Sequence, residues 1–100
     1  MSNPTVSEAL FNAFGSDFST ATQEQRLLLL EAVALTLRTG GGWSNTFHFV
    51  CSRARAPKMP KDCFPFLQIS TNEGLKLLAV LHVAIVEGYA LLAANERLRK

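Results

Sequence analysis

The sequence has few of the residue types that build covalent or metal-held frameworks. It contains two cysteines, Cys51 and Cys63, and two histidines among its 100 residues. Two cysteines do not make the disulfide framework of a small secreted domain, and a reducing cytosol would keep both as thiols. A structural zinc site uses pairs of closely spaced ligands. Here only His48 and Cys51 form such a pair, with H-x-x-C spacing, whereas Cys63 and His82 each stand alone. We therefore expect no metal and no cofactor.

Charge is also scarce, and it is nearly balanced. Charged residues make up 18% of the chain, with 10 basic and 8 acidic residues and a net charge of +2, whereas soluble domains average roughly 25%. This balance argues against a protein that binds nucleic acid by bulk charge. The apolar fraction of 48% excludes a solvating, disordered chain. A chain of this length fits one domain, so we expect residues 1–100 to share one core.

Targeting signals are weak in this sequence. The first residues, Met1 to Pro4, lack the positive charge that begins a secretory signal, so we expect a cytoplasmic protein. The run from Leu75 to Ala94 has about the ~20 residues of a bilayer span. It also carries Lys76, His82 and Glu87, and ionisable groups inside a membrane cost several kcal/mol each. A buried helix, with no membrane contact, is therefore the expectation.

Apolar spacing and capping signals predict an all-α protein, a small bundle of four helices with one long C-terminal helix. Thr5 with Glu8, and Ser70 with Glu73, have the S/T-x-x-E spacing of a capping box. Prolines predict an irregular connection over residues 57–69. The helices are expected over residues 6–14, 21–38, 45–55 and 71–97.

Other start signals are less distinctive. Ser19 or Thr20 is the expected cap of the second helix, and Ser44 is the expected cap of the third. Gly15 is placed to end the first helix, and the run from Gly40 to Gly42 ends the second.

Two of these helices are apolar nearly all round. From Leu27 to Leu37, nine of eleven residues are apolar, and the last helix is similar. A domain of this size buries only about two-thirds of its extended-chain surface, so we expect a homodimer or a higher homo-oligomer. Ala84 and Gly88 form a small-x-x-x-small pair that permits close helix approach. The alternative is a monomeric bundle in which the same face forms an ordinary core. The expected self-association face is Leu77, Leu81, Ala84, Ile85, Gly88 and Leu92.

Catalytic signals are unspecific. His48 and Cys51 are three residues apart on the third helix, where a thiolate–imidazolium pair is conceivable. However, Cys51 falls on the apolar face, where cysteine behaves as a small hydrophobe. We therefore expect no enzymatic activity.

The sequence is best interpreted as a non-enzymatic protein-interaction module. Small helical chains without chemistry act as inhibitors, anti-activators or immunity proteins of bacteria and phages, which is an argument from class. Such a module self-associates and sterically blocks or sequesters a larger partner protein. Phe11, Phe14 and Phe49 are the expected aromatic anchors.

A basic and aromatic segment over residues 43–61 supports an alternative function. Four basic residues lie within nine positions, with no acidic residue among them, and they follow several aromatic residues. Basic groups beside aromatic rings can hold a phosphate and stack a base, so the alternative ligand is a nucleotide or nucleic acid. The residues of this alternative site are Trp43, His48, Arg53, Arg55, Lys58 and Lys61.

Overall fold

The computed structural model describes residues 4–55 and 58–98, and these residues form four α-helices and one short 3₁₀ turn. The prediction of an all-α fold with a long last helix is confirmed. Each helix begins and ends within two residues of its predicted bounds. The irregular connection holds the 3₁₀ turn, Lys61–Cys63, and its first proline, Pro57, lies outside the described residues. The helices are α1 Val6–Phe14, α2 Gln23–Thr39, α3 Trp43–Ala54 and α4 Thr71–Leu98.

The first and last helices start at their expected caps. The Thr5 hydroxyl accepts a hydrogen bond from the Glu8 N–H at 3.1 Å. The Ser70 hydroxyl accepts one from the Glu73 N–H, also at 3.1 Å. The Glu73 carboxylate does not return to its own cap and instead accepts the Ser7 N–H of α1 at 3.0 Å. One carboxylate therefore lies at the positive ends of two helices.

Tertiary packing moves the starts of the two middle helices. α2 is capped by Thr22, which forms a reciprocal capping box with Gln25, and not by the expected residues Ser19 or Thr20. The preceding turn contains the fully buried Phe18, which has a positive φ of 57°.

α3 likewise starts earlier than expected. Its first residue is Trp43, with Gly42 as the cap. The Trp43 N–H donates to the Leu67 carbonyl at 3.1 Å, and its indole N–H donates to the Cys63 carbonyl at 2.7 Å. Because the ring is fully buried, packing of the tryptophan decides this helix start, and Ser44 lies inside the helix.

The core lies mainly between α2 and α4, which run antiparallel. The start of α4 meets the end of α2, where a Cβ on Gly74 would lie 2.6 Å from Leu37 Cδ2. Farther along, Gly88 faces the start of α2, and a Cβ there would overlap Gln23 Oε1. These two glycines therefore let the helices approach closely at both ends of the contact.

Candidate functional site

The face of α4 that points inward is the one predicted to mediate self-association. Leu77, Leu81, Ala84 and Ile85 are at most 8% exposed and belong to the core of the single chain. The expected self-association face is thus corrected at these four positions. The spacing of three and four residues identifies the apolar face of a helix, but it does not say whose helix covers that face. Here α2 of the same chain covers it.

The other two residues of that predicted face lie near the end of the α2–α4 contact. Gly88 contacts a polar cluster in which Arg26 donates to Gln23 Oε1 at 3.0 Å, and the Gln23 amide donates to the Ile85 carbonyl at 2.7 Å. Leu92 is 50% exposed. Because Gly88 has no side chain, there is room beside it for Gln23 and Arg26 of α2 in the same subunit.

The opposite side of α4 is apolar and exposed. Its large side chains are Leu75, Val83, Val86 and Tyr89, each 53–54% exposed. Between them lie exposed alanines and the exposed His82, and none of the residues of this surface is Lys, Arg, Asp or Glu. We call this surface the outer band, and its members are Leu75, Ala79, His82, Val83, Val86, Tyr89, Ala90 and Ala93.

The last part of α4 extends beyond the bundle. Every residue from Tyr89 to Arg97 is exposed, because α2 begins opposite Gly88 and nothing in the described chain covers α4 past that point. We call residues 89–98 the projecting end. It is about 15 Å long at 1.5 Å per residue. Leu91 and Leu92 lie on it, 64% and 50% exposed.

α4 is long and apolar enough to cross a membrane by length and composition. Only 22% of its most apolar window is buried in the bundle. To span a bilayer, however, it would have to leave α2 and uncover the core residues Leu29 and Val33. The projecting end alone reaches only about half of the roughly 30 Å hydrocarbon core. The intact bundle therefore does not fit a spanning orientation.

The three predicted aromatic anchors lie in different environments. Phe14 is 3% exposed, and Phe11 is half-buried with its ring edge-on to Phe18 at a centroid distance of 5.7 Å. Phe49 is 52% exposed. Of the three, only Phe49 thus presents most of its ring to a partner. Phe66 is 89% exposed in the irregular connection, and it was not predicted as an anchor because no periodic pattern marks the orientation of a residue there.

The structure does not bring the six residues of the alternative anionic site together. Trp43 is buried, and the ring of His48 stacks on Phe64 at a centroid distance of 4.0 Å. Lys58 and Lys61 line a cleft beside the end of α1. Arg53 and Arg55 are exposed at the end of α3, the latter in a left-handed conformation with φ 50°. The Trp43 assignment is therefore corrected, since its ring and N–H are already engaged in the core.

A groove between α2 and α3 contains one of these six residues, Arg53, and could hold an anionic ligand. It has a volume of about 510 Å³ and is lined by Glu31, Arg38, Phe49 and Arg53, among others. The Arg53 guanidinium lies 5.6 Å from the centroid of the Phe49 ring, a cation–π geometry. Two guanidinium groups and an exposed ring thus share one surface, with one carboxylate beside them.

The pKa values of both cysteine thiols are raised, which makes the thiols less reactive. Burial, together with the nearby Asp62 carboxylate, raises the pKa of Cys63 to about 12. Burial also raises the pKa of Cys51. An activated nucleophile needs the opposite shift. Among the described residues, no three His, Cys, Asp or Glu side chains lie close enough together to hold a metal ion.

No family model, no curated protein and no solved structure matches this chain. The surfaces of the molecule itself therefore carry the functional inference.

Proposed function

We propose that the protein is a non-enzymatic interaction module that self-associates and acts by covering a working surface of a larger protein. The observation that carries this proposal is the outer band of α4 together with the projecting end. Soluble monomers rarely expose contiguous apolar patches above a few hundred Å², and larger patches mark interaction sites. Here apolar side chains continue over most of a 28-residue helix.

The mechanism is steric. A rigid helix that presents half-exposed aliphatic and aromatic side chains can fill an apolar groove of a partner or pair with a partner helix. The projecting end gives the module reach, because its side chains are accessible around most of the helix. An inhibitor or immunity-type protein needs nothing more than such an occupied surface, and α4 supplies it without any catalytic group.

The experiment compares apolar-to-glutamate substitutions on two helices. Val86→Glu changes the outer band, whereas Leu27→Glu changes an exposed leucine of α2, 39% accessible, and serves as the matched control. We expect Val86→Glu to abolish both self-association in sedimentation and retention of a host protein, while Leu27→Glu preserves them. Equal behaviour of the two variants would contradict the proposal.

The groove between α2 and α3 supports a second candidate function, the binding of an anionic ligand. Arg53 over Phe49, with Arg38 in the same groove, is the observation that favours it. Phosphate binding there should weaken steeply with added salt, whereas an apolar protein interface should not. A titration with a labelled oligonucleotide, in which Arg53→Glu removes a salt-dependent signal, is the test. Unchanged binding by Arg53→Glu would dismiss this groove.

A further inference from the structure

We infer that the occupant of the outer band is a second copy of the same helix, paired antiparallel to the first. This inference rests on the proposed function and deepens it, because it specifies one partner and one register for the exposed face of α4.

The spacing of the outer band is that of a helix-pairing seam. Leu75, Ala79, His82, Val86, Tyr89 and Ala93 follow one another at alternating steps of four and three residues. A repeat of seven residues keeps one face of a helix turned toward a partner helix along its whole length. Any continuous face of an α-helix shows steps of three and four residues, so the spacing permits a helical partner and the side-chain sizes decide for one.

The sizes of the side chains select an antiparallel register. If the two copies cross so that His82 lies opposite Val86 of the second copy, Leu75 lies opposite Ala93 and Ala79 lies opposite Tyr89. Each outer layer then joins one large and one small side chain, as interdigitating packing requires. A parallel, in-register pair would set Tyr89 against Tyr89 and alanine against alanine, which leaves gaps beside the large side chains.

The charges beside the outer band agree with the same arrangement. Lys76 and Glu87 are exposed on the same side of the band, eleven positions apart in the sequence. In an antiparallel pair, equivalent sides of the two helices meet, and in this register Lys76 lies level with Leu92 of the other copy, about 7.5 Å along the axis from Glu87 at 1.5 Å per residue. Opposite charges at the rim of an apolar seam favour this orientation over competing ones.

The antiparallel register also covers one side of the projecting end. Ala93 lies level with Leu75 of the second copy, so each projecting end runs along the part of the partner's α4 that packs on its bundle. Leu92 thereby approaches the half-buried Leu78 of the other copy. The pairing thus covers the seam side of the projecting end, whereas Leu91, on the opposite side of the helix, stays accessible to a larger partner.

Cysteine crosslinking in the full-length chain tests the register. Leu75→Cys and Ala93→Cys are made separately, and the two proteins carry tags of different size. On mild oxidation we expect the mixture to give a disulfide between the two variants, with little self-linkage of either. In the antiparallel pair, two copies of position 75 are about 27 Å apart at 1.5 Å per residue, whereas a disulfide needs Cα atoms within about 7 Å. Wild-type protein controls for Cys51 and Cys63.

Each other outcome overturns the inference in a distinct way. Self-linkage of each variant, without mixed linkage, would show a parallel pair and leave self-association intact. If the protein is a monomer that binds phospholipid vesicles, and Val86→Glu abolishes this binding, the occupant of the outer band is lipid. A monomer without crosslinks that retains a host protein through Val86 would refute the second copy but leave the interaction module standing. If the protein retained no host protein either, the proposed function would be refuted as well.

Discussion

The two faces of α4 should respond in opposite ways to substitution. Leu81 is fully buried against α2, whereas Val86, five residues later, is 53% exposed on the outer band. Replacement of Leu81 by alanine should lower the free energy of unfolding of the subunit by about 2–5 kcal/mol, as for other buried leucines. Replacement of Val86 by glutamate should change it by no more than about 0.5 kcal/mol, as for surface positions.

Association should show the reverse order. Full burial of a valine side chain contributes roughly 1.5–3 kcal/mol, so the exposed half of Val86 can contribute about 1 kcal/mol per copy. Two copies in a symmetric pair then lose about 2 kcal/mol, which raises the dissociation constant about 30-fold. The cost of covering two carboxylates adds to this figure. Val86→Glu should therefore be a folded protein with strongly weakened assembly.

Two measurements separate these effects. Urea unfolding followed by circular dichroism, at several protein concentrations, gives the stability of the subunit and the part that depends on association. Sedimentation equilibrium gives the dissociation constant directly. The assignment of the two faces is refuted if Leu81→Ala weakens self-association without lowering the stability of the subunit, or if Val86→Glu unfolds the chain.

Three further predictions concern the bundle itself. Glu73→Gln should lower the free energy of unfolding by about 0.5–1 kcal/mol in urea, because the carboxylate lies at two helix N-termini and accepts the Ser7 N–H. Gly74→Ala should destabilise the protein by up to about 2 kcal/mol, since crowding against Leu37 exceeds the roughly 1 kcal/mol gain in helix propensity. Cys63, whose pKa rises from 9.0 to about 12 on folding, contributes stability that is fully present below pH 9 and lost between about pH 9 and 12. The stability difference between wild type and Cys63→Ala should therefore shrink over that range in urea titrations.

Each of these predictions has a control. Glu31→Gln removes an exposed carboxylate from the middle of α2, away from either helix end, and should leave stability unchanged. In a Leu37→Ala background the crowding is gone, so Gly74→Ala should become neutral or stabilising, and additive effects would contradict the close approach. A constant difference between wild type and Cys63→Ala from pH 9 to 12 would mean that the thiol ionises alike in folded and unfolded chains.

The helices were predictable because their signals are local. Thr5 and Ser70 cap their helices through residues three positions away, and apolar spacing set the extents to within two residues. The cap of α2 was missed because three hydroxyl residues compete within four positions, and burial of Phe18 with a positive φ decides among them. A local pattern contains no information about that burial.

The assignment of faces could not be predicted for α4. Leu75 and Leu77 are equally apolar, yet one is 54% and the other 1% exposed. Because α4 is apolar at nearly every angle, its pattern does not point to a single side. The contact of Gly74 with Leu37 fixes the orientation, and it joins residues far apart in the sequence. The same limit applies to Trp43 and Arg53, which are close in the sequence but lie inside and outside the bundle.

The composition of the projecting end is not explained by helix formation alone. Its alanines, Ala90, Ala93 and Ala94, propagate a helix that the packed part of α4 has already nucleated. Leu91 and Leu92 add no more helix propensity than lysine or glutamate would, and they expose 64% and 50% of their surface to water. In a chain with only 18% charged residues, two such leucines lower solubility without stabilising the bundle. Their contribution is realised only when another surface covers them, and because Leu91 lies on the side of α4 that also carries Ala84 and Gly88, opposite the outer band, we expect that surface to belong to a larger partner.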